Sequence, residues 1–346
     1  MKFALFSHVP WPENIDPSRI FGETIEQMVY GEELGFHSAW FAEHHFSRYS
    51  LGSSSLVLAG AVAARTKKLR LGTGVLVPTL HNPIRLAEDA ATVDSISEGR
   101  LDIGFGRGTF GYEYGGFNAD QEESQARLQE SVKIVQGLLS TQEFSFEGRY
   151  YQVNKLNLVP PPVQKPHPPI YIAASYTMET LQFAVNNGYM LCAAVVQDTD
   201  KALERCTTFV KLSKEAGRDV SMADIPFFRY FYVAETEEQA RKDTEAHINW
   251  ILDIMQWRRN FKESSEVPYK IEDWRKARTE LPLSYEMILQ NRAFIGTPDQ
   301  CAAKIKELRS QGIVYFGCNF AFGGISHEKV TRSMELFANE VMPRFT

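Results

Sequence analysis

Apolar and polar positions along this chain switch repeatedly between two periods. Residues 2–7 (KFALFS) read as a short apolar strand. Residues 20–34 carry helical spacing that stops at Gly35. The same exchange recurs. Residues 38–42 predict a strand, 54–67 an Ala- and Leu-rich helix, and LRLGTGVLVP a third strand. HNPIRLAEDAATVDSISEGR predicts a helix with Asn82 as N-cap, Pro83 in its first turn and Gly99 beyond its end. LDIGFG then reads as a strand and QEESQARLQESVKIVQGLL as an amphipathic helix. After an aromatic, proline-rich stretch that suits a short hairpin, the exchange resumes. IYIAAS, YMLCAAVV, IPFFRYFYVA and VYFGCNFAFGG are each followed by a helical segment, at 178–187, 199–216, 236–257 and 327–342. About eight strand–helix pairs imply parallel βαβ units closing into an α/β fold of the (β/α)8 TIM-barrel type, with insertions; a doubly wound sheet is the competing arrangement.

Length and composition agree with one large barrel domain over residues 1–346. The chain is 44% hydrophobic, enough for an extensive core, and α/β barrels run past ~250 residues as single units. Residues 260–291 break the pattern. They are charged and weakly periodic, and read as a mobile loop ahead of an extra helix at 297–311. A formal net charge of -6 gives no reason to expect nucleic acid or an anionic membrane as partner. The four cysteines are scattered and form no CxxC, so they read as buried thiols. No signal peptide or membrane span is legible, and a cytoplasmic location is expected.

In a parallel barrel the active site lies at the C-terminal ends of the strands. There the sequence places Glu43-His44-His45, Thr73-Gly74-Val75, the GFGRG run with Arg107, and AASYT with Ser175. Adjacent residues of a strand point to opposite faces, so His44 and His45 are poorly placed to share one metal ion, and none is expected. One histidine at this position suits a general acid or base; two satisfied loop histidines are the plainer alternative. The formal GxGxxG beginning at Gly106 is followed by a Gly- and aromatic-rich stretch expected to be a loop, so it is not read as a dinucleotide fingerprint. Arg107 instead offers a planar donor for a phosphate. The strand-to-helix turn at Ser175–Thr177 offers hydroxyls and N–H groups for the same anion.

With these residues assembled, the chain resembles the bacterial luciferase family of flavin-dependent monooxygenases, and in particular its catalytic (alpha) subunit. The resemblance is carried by GFHSAWFAEHHF, HNPIRLAEDAATVDSISEGRLDIGFGRG, FEGRYY with PPPVQKPHPPIYIAAS, FIGTPDQCAAKI and MELFANEVMP. It implies a (β/α)8 barrel that binds reduced FMN, takes it from a separate flavin reductase, and uses O2 through a flavin peroxide to oxygenate a small organic substrate. It implies His44 as the catalytic base, Gly106 and Arg107 with Ser175 and Tyr176 at the flavin phosphate, and Gly74-Val75 under the ring, where the family often has a non-prolyl cis peptide. Phe6 and Trp250 match aromatics lining the ring and substrate cavity, and a homodimer is implied rather than a heterodimer. Gly106 stands where the light-emitting subunit has a reactive cysteine, Ala174 where it has a glutamate, and Ala193 and Ala194 where it has bulkier residues. These departures bear on light emission and on a long-chain aldehyde substrate, not on flavin use. A deazaflavin-dependent oxidoreductase, a flavin-binding protein without catalysis and, last, a metal hydrolase are the other readings.

Overall fold

The computed structural model describes residues 1–175, 177–260 and 283–345. Its centre is a parallel sheet. Strand β1 (Lys2–Ser7) pairs with β2 (Ser38–Phe41), β2 with β3 (Arg70–Thr73), and β3 with β4 (Leu101–Gly106). A two-stranded antiparallel hairpin, β5 (Phe144–Glu147) and β6 (Gln152–Leu156), stands outside this sheet, as the aromatic, proline-rich stretch predicts. The sheet continues from β4 to β7 (Ile170–Ala173) and β8 (Met190–Leu191). A parallel bridge from Ala193 to Phe227 then brings the chain beyond β8 onto β9 (Phe227–Val233). Strand β9 also pairs with β11 (Tyr315–Asn319), and β11 with β1, so eight strands form the ring expected of a barrel.

One strand was not expected. Ala293–Gly296, β10, pairs with Tyr230–Val233 of β9 beyond the reach of the Ala193 bridge. Its four residues are too few to show a period, and only the longer neighbour reveals its role. The expected loop at 260–291 is also corrected at its end. Tyr285–Asn291 is a helix capped by Ser284, whose side chain accepts from the Met287 N–H. Residues 261–282 of that expected loop lie outside the described residues. No described helix is long and apolar enough to cross a membrane.

The barrel interior is filled with aromatics at its waist. Trp40 is fully buried and meets Tyr171 and Phe228 edge-on, at 5.2 and 5.6 Å between centroids. Two glycines make room for these rings. A Cβ on Gly72 would lie 2.1 Å from the Trp40 ring, and one on Gly317 would lie 1.9 Å from Phe228. Burying such rings dominates core energetics, at very roughly 1.5–3 kcal/mol for each large side chain. Phe228 touches Phe6 at 4.8 Å, and both rings reach the mouth above. The floor of the site is therefore the top of the core.

Candidate active site at the barrel mouth

The residue following each strand decides what the mouth contains. Strand β2 ends at Phe41, and the chain then presents Glu43, His44 and His45 in sequence. Beyond the strand end the two histidines take different partners. His44 turns into the mouth, with its Nδ1 3.1 Å from Glu113 Oε1. Glu43 also lines the cavity, and it pairs with His45, whose Nε2 lies 3.0 Å from Glu43 Oε1.

Glu113 was not found by sequence reasoning. The run TFGYEYGGFNAD, expected to be a loop, contains a short helix at Gly111–Gly116, and this turn carries Glu113 inward until it is 1% exposed. Glu113 Oε1 also accepts the His45 backbone N–H at 3.1 Å. The turn is anchored by the Tyr114 hydroxyl, which donates to the Arg107 carbonyl, while Gly108 takes a φ of +82° between them. A carboxylate can only accept, so His44 Nδ1 carries the proton and Nε2 is the basic nitrogen. This is an oriented histidine of the kind that serves general acid–base chemistry.

His81 is the second residue missed. It precedes Asn82, whose side chain accepts from the Ile84 and Arg85 N–H groups and so caps the helix Pro83–Ile96. The cap fixes His81 so that its Nε2 lies 2.8 Å from Glu43 Oε1. Burial alone would raise the Glu43 carboxyl, but the hydrogen bonds from His45 and His81 outweigh it and hold Glu43 below its ordinary range. Burial likewise pulls His81 down, and the Glu43 carboxylate more than compensates, leaving His81 above its ordinary value. Glu43, His45 and His81 offer ligand atoms within 4.8 Å of one another, an arrangement that could also hold a cation. Both hydrogen bonds fall on Glu43 Oε1, and its Oε2 is buried without a partner among the described residues.

The phosphate-suited end of the mouth is built from two strand ends. Arg107 follows β4, and Ser175 follows β7 where the chain enters the helix Met178–Asn186. Thr177 caps that helix by accepting the Thr180 N–H, and the Thr177 and Thr180 hydroxyls are 2.7 Å apart. The Thr180 hydroxyl donates to Gln125 Oε1 at 2.7 Å, and the Gln125 Nε2 is buried without a partner among the described residues. Arg107, Ser175, Thr177 and Thr180 all line one cavity with His44. Tyr176 lies outside the described residues.

Between the two ends run Gly74, Val75 and Gly106. The Gly74–Val75 peptide is cis, and the Gly74 N–H donates to the Phe41 carbonyl at 2.7 Å. A Cβ on Gly106 would come within 2.5 Å of Val75 Cγ2, so a larger residue here would displace the Val75 side chain. Phe6 lines the cavity. Trp250 does not reach it among the described contacts. It is buried at 8% exposure with its indole N–H unpartnered among the described residues, while Met255 of the same helix lines the mouth. Five residues along a helix correspond to roughly 140° of rotation, so the two side chains leave on different faces. Cys192 also lines the cavity, and burial pushes its thiol up to about 12, which keeps it protonated at neutral pH.

Residues 1–315 match the family model described as luciferase-like monooxygenase. The oxygenase component of a flavin-dependent trigonelline monooxygenase from Acinetobacter baylyi is 29% identical, over 100% of this chain and 96% of that protein. The alkanal monooxygenase alpha chain of Aliivibrio fischeri is 27% identical over 90% and 89%. Among solved structures, a monooxygenase from Streptomyces bottropensis superposes with a TM-score of 0.84 at 26% identity, covering all of both chains. The fold is shared more widely. A coenzyme F420-dependent tetrahydromethanopterin reductase from Methanopyrus kandleri superposes with a TM-score of 0.73 at 20% identity, over 100% of this chain and 99% of that one. The chain belongs to the luciferase-like family of flavin-dependent monooxygenases.

Proposed function

We propose that this protein is the oxygenase component of a two-component system that receives reduced FMN from a separate reductase and inserts oxygen from O2 into a small organic substrate. The observation that carries the reading is one cavity lined both by the His44–Glu113 pair and by the Arg107, Ser175, Thr177 and Thr180 cluster. The cofactor fits the residues present. The guanidinium, three hydroxyls and a helix N-terminus suit a terminal phosphate. Gly74, Val75, Gly106 and Ala173 leave the cavity wall between them low enough for a flat ring to lie against the backbone.

Bound reduced flavin supplies the electrons that activate O2. The chain supplies the rest. Arg107 and the hydroxyl cluster hold the phosphate, and Phe6, Phe228 and Val75 exclude water from the ring side. His44 Nε2 takes or returns a proton, with Glu113 stabilising the imidazolium. A second copy of the chain completes a homodimer, and the whole chain works as one barrel domain in the cytoplasm. A flavin-binding protein would need no oriented His44–Glu113 pair.

The test is oxygen uptake with reduced FMN, and separately with reduced F420, across a panel of ring and open-chain substrates. Substrate-dependent product formed with reduced FMN and a free-standing reductase supports the reading. Turnover with reduced F420 alone, independent of O2, replaces it with the deazaflavin one.

A further inference from the structure

We propose that Glu43, His45 and His81 form a binding site for one divalent transition-metal ion of the zinc type, beside the mouth and independent of the flavin reading. Adjacency along the chain keeps His44 and His45 from sharing an ion, and the fold supplies His81 instead. It brings the residues after β2 together with the residue before the Asn82 cap. Each of the three offers one ligand atom, and the three atoms lie within 4.8 Å of one another. Glu43 Oε1 is 3.0 Å from His45 Nε2 and 2.8 Å from His81 Nε2. Ligand atoms around an ion with bonds of about 2.0–2.1 Å lie roughly 2.9–3.4 Å apart, so a small convergence of the two imidazoles closes the shell.

A second observation separates this cluster from an ordinary hydrogen-bonded one. Both imidazoles fall on Oε1, and Glu43 Oε2 is buried with no hydrogen-bond partner among the described residues. A carboxylate oxygen only accepts, and a buried one left without a donor is costly. A cation held by the carboxylate satisfies it. Glu43 is 2% exposed and His45 5%, so these two ligands are kept from bulk water. The His81 side chain is 28% exposed and Glu43 lines the mouth, which gives the ion a way in and leaves its remaining position to water.

The donor set selects the ion. Two imidazoles and a carboxylate suit zinc and its neighbours in the first transition row, whereas magnesium and calcium prefer shells of oxygen. On binding, each imidazole turns its Nε2 lone pair to the ion and keeps its proton on Nδ1. Any second proton on an imidazolium leaves to solvent. The oxidation state of the ion does not change. Bound there, the ion ties the residues after β2 to the start of the helix Pro83–Ile96. It also steadies the His45 backbone, whose N–H donates to Glu113 Oε1, the oxygen that faces His44 Nδ1. The ion therefore supports the walls of the mouth and takes no ligand from the phosphate end.

The test uses the full chain without a purification tag, stripped by a chelator and free of flavin, titrated calorimetrically with zinc sulfate near neutral pH. One zinc ion per chain should bind and raise the melting temperature, while magnesium at the same concentration does neither. His81→Gln and Glu43→Gln should each weaken zinc by about tenfold or more. If a variant does not fold, the parent still decides the question. Cobalt(II) in place of zinc should give the visible d–d bands of a nitrogen and oxygen shell, with no thiolate charge-transfer band in the near ultraviolet. FMN binding is scored separately, so zinc binding in a protein that ignores FMN supports this site and counts only against the flavin reading. No saturable zinc binding, equal binding of magnesium, a thiolate band, or zinc affinity within about twofold of the parent in either folded variant overturns the proposal.

Discussion

At the N-terminal end of the barrel, Arg70 grips Asp102 through two contacts, Nη2 to Oδ1 at 2.6 Å and Nε to Oδ2 at 2.9 Å. At the C-terminal end, Glu43 and Glu113 are met by His45, His81 and His44. Both ends bury carboxylates. The lower end neutralises its carboxylate with a guanidinium, which keeps its proton throughout the physiological range and fixes geometry by its planar fork. The upper end uses imidazoles, which can hold or give up a proton. A permanent pair serves to close and stiffen the barrel. A titrating pair can exchange a proton with something bound above it. The two ends thus differ in the identity of the cation placed beside each buried acid.

The largest expected effect is on the upper end. His44→Ala should lower product formation by ~10²–10⁴ while FMN stays bound, because it removes the proposed base and leaves the proposed phosphate contacts in place. Glu113→Gln should lower the rate less, since it keeps an acceptor for His44 and loses only the charge. A His44→Ala protein that oxygenates within a few-fold of the parent would remove this histidine from the chemistry. Steady-state product assays with reduced FMN decide the point.

The lower end should respond in stability instead. Breaking a buried ion pair costs ~3–5 kcal/mol, and with the Arg70 side chain 25% exposed the lower part of that range, about 3 kcal/mol, is expected for Asp102→Asn. Urea unfolding of this variant should show a lowered midpoint with FMN affinity preserved. A large loss of FMN affinity in an otherwise stable Asp102→Asn protein would show that the two ends are not separate.

Much of this arrangement was legible in the sequence. The eight ring strands, the Asn82 cap and the 144–156 hairpin follow from period, capping chemistry and proline placement. His44 and His45 do take different partners, as the sequence suggests, but beyond the end of β2 rather than within it. What was not legible depends on convergence. Glu113 is an ordinary acidic residue in a glycine-rich stretch until a single helical turn brings it to His44. His81 is an ordinary residue before an N-cap until β2 and β3 lie side by side. The strand Ala293–Gly296 exists only by pairing with β9, and Met255 rather than Trp250 lines the mouth because the helix face toward it is set by packing.

The smallest expected effect is a pH dependence of stability at Glu43 and His81. Glu43 is held below its ordinary 4.5, so its contribution is present above about that pH and lost as pH falls through the depressed value. His81 is raised above its ordinary 6.5, so its contribution is full below that pH and lost as pH rises through the raised value. The parent should therefore exceed His81→Gln in melting temperature most clearly between pH 4.5 and 6.5, and the difference should shrink toward alkaline pH. A difference that grows above neutrality would reverse the assignment of which partner carries the proton.

The claim on which the account depends is that a flavin phosphate sits against Arg107 in the same cavity as His44. Anaerobic titration of the parent and of Arg107→Ala with reduced FMN and reduced riboflavin tests it most directly, since the two ligands differ only in the phosphate. Losing a charge-assisted hydrogen bond costs about 1.5–3 kcal/mol, so Arg107→Ala should weaken FMN by roughly ten- to a hundredfold and riboflavin hardly at all. Equal weakening of both ligands, or a parent that binds riboflavin as tightly as FMN, would contradict it.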